Sequence, residues 1–66
     1  MLEKILQALR DEGYDTNVKD NIIFVSVDEF DLYRIFVENT IFVKSVDTGR
    51  SLNFKTYDEF LYFLES

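Results

Sequence analysis

Two stretches of the chain bring carboxylates close enough together to suggest chemistry. In VDEFD, Asp28, Glu29 and Asp31 fall within four consecutive residues, and converging carboxylate oxygens are what calcium and magnesium ions bind. A calcium cage takes about six to eight oxygens, with a glycine where an EF-hand loop turns sharply. VDEFD offers three acidic side chains and no glycine. No metal is expected there, and the stretch reads as a solvated acidic connection with Phe30 tucked inward. In SVDTG, Asp47, Thr48 and Gly49 follow a short apolar run. Aspartates that work together as acid and base need two carboxylates about 3 Å apart sharing one proton.

The triplet Asp47-Thr48-Gly49 resembles the active-site triplet of retroviral-type aspartic proteases, which implies a hydrolase built from two lobes or two subunits. The resemblance ends with those three residues. The family's flap, substrate channel and second apolar-glycine motif have no counterpart in a chain of 66 residues. Asp-Thr-Gly is also ordinary turn sequence, and a turn fits the strands on either side. Histidine and cysteine are both absent, which removes disulfides, thiolate nucleophiles, the usual zinc ligands and the side chain that titrates near neutral pH. The chain is expected to be no enzyme and to carry no cofactor.

Charge points to binding instead. The formal net charge is −6, from thirteen acidic and seven basic residues. Lys4, Arg10, Lys19, Arg34, Lys44, Arg50 and Lys55 are scattered singly, whereas phosphate binding draws on clustered cations. Direct contact with nucleic acid or an anionic membrane is not expected. The acidic residues do gather, with Asp11, Glu12 and Asp15 around one expected helix end and Asp28, Glu29 and Asp31 in one connection. A compact acidic surface can imitate the phosphates of a nucleic acid and occupy a basic groove on a protein partner. In size and charge the chain looks like phage-encoded inhibitors of that sort, anti-CRISPR proteins among them. With no apolar run near the roughly 18 residues of a membrane span and no signal-peptide pattern, a cytoplasmic location is expected.

The elements that position these groups follow from periodicity. Leu2, Ile5, Leu6 and Leu9 recur at helical spacing, and Gly13 suits the residue just past a helix end. Thr56 and Glu59 have the spacing of a capping box before Tyr57, Phe60, Leu61 and Leu64, which form a second helical stripe. Between the helices, Asp20-Asn21, the region of Asn39 and Asp47 to Gly49 carry turn chemistry between alternating apolar runs. The expected fold is α+β in one domain over residues 1–66: an N-terminal helix, an antiparallel meander of four to five strands and a C-terminal helix. Both helices should lie on one face of the sheet, since two helices about 10 Å wide match four strands at about 4.8 Å each.

Strand alternation then sorts the side chains. A two-residue turn at Asp20-Asn21 places Val18, Ile23, Val25 and Val27 on the helix-covered face. A three-residue turn at Glu38 to Thr40 adds Tyr33, Ile35, Val37, Ile41 and Val43. Ile22, Phe24, Phe36 and Phe42 fall on the reverse face, where a large apolar patch rarely stays wet. The last strand and the Asp28 to Asp31 loop could fold over it, a second copy could pair with it in a homodimer, or another protein could bind it. Tyr62, off the apolar stripe of the last helix, is a candidate anchor for a partner, and Phe63 is expected at the core edge. The alternative to an inhibitor is a small structural or regulatory homodimer.

Overall fold

A computed structural model describes residues 1–66 and shows the expected α+β architecture. Helix α1 spans Leu2–Asp11 and buries Ile5, Leu6, Ala8 and Leu9. It ends because Gly13, at φ 92°, takes the left-handed conformation. The Gly13 N–H donates to the Arg10 carbonyl at 2.9 Å and the Tyr14 N–H to the Leu9 carbonyl at 3.0 Å. These are the two bonds of a Schellman stop.

Five strands follow, β1 (Asp15–Lys19), β2 (Ile22–Val27), β3 (Phe30–Val37), β4 (Ile41–Ser45) and β5 (Ser51–Phe54), and they pair in chain order as an antiparallel meander. Asp20 and Asn21, at φ 54° and 64°, make the first two-residue turn and set Val18 opposite Ile23. Val37 opposes Ile41 and Tyr33 opposes Ser45 across the three-residue turn between β3 and β4. Asp47-Thr48-Gly49 is a turn as well. The Gly49 N–H donates to the Ser45 carbonyl at 2.9 Å and the Arg50 N–H to Thr48 Oγ1 at 3.2 Å.

Helix α2, Tyr57–Glu65, starts at the expected capping box. Thr56 Oγ1 accepts from the Glu59 N–H at 3.2 Å, and Glu59 Oε1 accepts from the backbone N–H groups of Thr56 and Lys55 at 3.2 and 2.8 Å. Phe60 carries the helix into the core beside Ile5, Leu6 and Leu9 of α1 and Ile23, Val25, Ile35, Ile41 and Val43 of the sheet. Phe63 lies at the core edge, 5.2 Å from Phe54 between ring centroids. Both helices therefore cover one face, α1 toward β1 and α2 toward β5.

Four readings change. The link after β2 is a two-residue turn, with Asp28 at φ 50° and Glu29 at φ 71°, so Phe30 and Asp31 belong to β3. Phe30 does not tuck inward. It is 73% exposed, because the hairpin runs on past the reach of the helices. Val18, placed with the core, is 41% exposed on edge strand β1. The reverse face is not self-covered either, since β5 extends the sheet beyond β4 and the Asp28–Glu29 turn continues its own hairpin.

Glutamate at positive φ costs on the order of 1–2 kcal/mol, whereas glycine adopts that conformation freely and loses part of the gain to chain entropy. Glu29→Gly is accordingly expected to stabilise the fold by up to about 1 kcal/mol. The midpoint of urea denaturation measures it, and a lower midpoint would mean that the Glu29 side chain holds the turn.

Candidate partner-binding surfaces

The meander brings the two acidic groups to one end of the molecule. Only Gly13 and Tyr14 separate α1 from β1, so Asp11 and Glu12 at the helix end stand beside Asp15 at the strand start. Asp15 pairs with Ser26 of β2, and Ser26 pairs with Asp31 of β3. Asp15, Ser26 and Asp31 thus form one row across three strands, next to the Asp28–Glu29 turn. A bulge helps to place Asp31: Val25 opposes Tyr33 but Ser26 opposes Asp31, leaving Leu32 as the extra residue. With strands about 4.8 Å apart, Asp15 and Asp31 are separated by about 10 Å.

Two further carboxylates join this end, Asp47 of the turn triplet and Glu65, which no motif in the sequence singles out. Asp47 lies in the turn after β4, where the Val46 N–H donates to the Leu32 carbonyl at 2.9 Å. Glu65 shares the groove between the helices with Asp11 and Glu12. Its placement follows from α2 running alongside α1 in the same direction, which the contact of Lys4 Nζ over the Tyr57 ring at 4.9 Å also marks. All eight of these acidic side chains are exposed. Gln7 Nε2 donates to Asp11 Oδ1 at 2.9 Å, and Arg10 turns aside to donate from Nε to Thr16 Oγ1 at 3.3 Å. No group of three or more carboxylates is arranged to hold a metal ion.

The second surface is the bare face of the sheet. Register places Lys19, Ile22, Phe36, Phe42 and Asn53 in one row across five strands. Asn17, Phe24, Arg34, Lys44 and Ser51 form the next. Phe36 and Phe42 meet edge to face, their centroids 5.7 Å apart. The Arg34 guanidinium lies over the Phe24 ring at 5.6 Å. Ile22, Phe24 and Phe36 are half-buried by these neighbours, and Phe42 is 37% exposed. Tyr62, 71% exposed, projects from α2 on the opposite side of the sheet, beside Glu65 of the acidic end and away from Ile22, Phe24, Phe36 and Phe42.

The cations that look scattered along the chain are therefore gathered in part. Lys19, Arg34 and Lys44 share the bare face, because each sits at the outward parity of its strand.

On the covered side, Tyr33 packs edge-on against Phe63 at 6.0 Å. Burial raises the Tyr33 phenol above its usual value near 10, and the neighbouring Tyr14 adds to the shift. The unfolded chain releases this proton at lower pH than the folded one, so the stability it contributes is present below about pH 10 and lost as pH rises toward the folded value. Tyr33→Phe should flatten that alkaline loss. Melting curves from about pH 9 to about pH 11 test it, and parallel pH profiles for the two proteins would refute it.

No helix is long and apolar enough to cross a membrane. No family model, curated protein or solved structure matches the chain.

Proposed function

We propose that this chain is a small, non-catalytic protein-binding domain that acts in the cytoplasm. Its acidic end imitates the phosphates of a nucleic acid and blocks a basic groove on a protein that handles nucleic acid, as a phage-type inhibitor of the anti-CRISPR kind would. The observation that carries the reading is the convergence of Asp11, Glu12, Asp15, Asp28, Glu29 and Asp31 at one end. Neighbouring charges in that group lie within about 10 Å, the screening length at 0.1 M salt, so their fields add instead of being screened apart. Two rigid hairpin strands and a capped helix end hold the array, which limits the side-chain ordering that binding must cost.

The test begins with the purified protein immobilised and challenged with a lysate of its host. A partner held in the proposed way is released by heparin, a polyanion that competes for the same groove, and by raising salt. A captured partner that withstands both, and that binds its nucleic acid undisturbed by this domain, overturns the reading.

A further inference from the structure

We infer that the bare sheet face is a second docking surface, centred on a facing pair of cations, for an acidic protein segment that carries large apolar side chains. The face combines an apolar row, Ile22, Phe36 and Phe42, with a row that holds Arg34 and Lys44, and Lys19 closes the apolar row at its β1 end. The two rows are about 6.8 Å apart, two residues of strand rise, so one extended segment can set apolar groups on the first and carboxylates on the second. Carboxylates border this face at both ends, Asp15 and Asp31 at one and Asp20 and Glu38 beside Ile22 and Phe36 at the other, so its cationic character is concentrated in the Arg34–Lys44 row between them.

The pairing of Arg34 with Lys44 argues that something anionic is meant to lie there. The two face each other directly across β3 and β4, and like charges in that relation destabilise a sheet. The Phe24 ring beneath Arg34 offsets only part of the repulsion, and an incoming carboxylate offsets the rest. A second copy of the chain is a poorer occupant. Arg34 sits in the middle row of the central strand, so any two-fold axis through the centre of the face sets it against its own copy. Single-stranded nucleic acid fits less well too. It needs open rings to stack on, but Phe24 lies beneath a guanidinium and Phe36 and Phe42 stand at 62° to each other.

The probe is a synthetic peptide in which leucine and aspartate alternate at every second residue, with serine between them so that both share one face of the extended chain, added to the ¹⁵N-labelled protein and followed by amide shifts. Shifts should centre on Ile22, Phe24, Phe36 and Phe42. Lys44→Glu should weaken the peptide by about tenfold or more while leaving the melting temperature equal or higher, because it turns a repulsive pair into an attractive one. A lysine–leucine peptide should bind that variant better than it binds the parent protein. Asp28→Asn with Glu29→Gln should leave aspartate–leucine binding intact, which separates this surface from the acidic end. Equal binding of a serine–leucine peptide, or of the aspartate peptide to Lys44→Glu, overturns the inference. So does preferential binding of oligothymidylate on the same amides, or a concentration-dependent dimer that Phe42→Ser abolishes.

Discussion

Replacing Phe60 with alanine is expected to lower the unfolding free energy by roughly 3–5 kcal/mol, the range for a fully buried aromatic removed from a packed core. Phe60 has no exposed surface. It is the one fully buried side chain of α2, and its ring lies 6.0 Å from Phe54 and 6.5 Å from Phe63. Removing it leaves α2 attached by half-buried contacts alone. A domain of 66 residues has about 3–10 kcal/mol of stability in all at 0.05–0.15 kcal/mol per residue, so the variant should stand at the edge of unfolding. Thr56→Ala serves as the internal comparison. It removes an exposed cap on the same helix and should cost roughly 0.5–2 kcal/mol. Urea denaturation of both variants gives the order directly. If Thr56→Ala were the more damaging, α2 would be held by its cap and not by its seat on the sheet.

What the sequence discloses about this fold is what local chemistry decides. Thr56 and Glu59 announce α2 because a capping box needs only four residues, and Asp20-Asn21 announces a tight turn because both residues tolerate positive φ. Once that turn and the Glu38–Thr40 turn are placed, alternation alone assigns Ile23, Val25, Ile35, Ile41 and Val43 to one face and Ile22, Phe24, Phe36 and Phe42 to the other. The Asp28–Glu29 turn is less legible, since glutamate at φ 71° runs against the usual preference for glycine or asparagine. Phe30 goes with it, since an aromatic reads as core whereas this one projects from a hairpin tip. The surfaces depend on longer-range facts still. Glu65 joins Asp11 and Glu12 only because the two helices run in the same direction, and Lys19, Arg34 and Lys44 become one group only through the register of four strands.

Neutralising the hairpin end, with Asp28→Asn, Glu29→Gln and Asp31→Asn together, is expected to slow association with the partner by about tenfold or more at low salt, because steering by a charged surface raises association rates by about 10- to 1,000-fold. Dissociation should change much less. Exposed rim charges act mainly on encounter, whereas the contacts that hold a complex together are desolvated. All three side chains are exposed and none supports the core, so the triple variant should melt close to the parent protein. The effect should also shrink as salt rises, since about 10 Å of screening at 0.1 M becomes about 3 Å at 1 M. Surface plasmon resonance at several salt concentrations separates the two rates. Glu29→Gly sharpens the comparison, because it removes one of the three charges while relieving a strained turn: a more stable protein that associates more slowly. That pairing would show that the turn keeps a carboxylate at some expense to the fold. If the triple variant associated at the parent rate while Phe42→Ser or Lys44→Glu abolished binding, the bare sheet face would be the partner's seat and the acidic end an ordinary solvated surface.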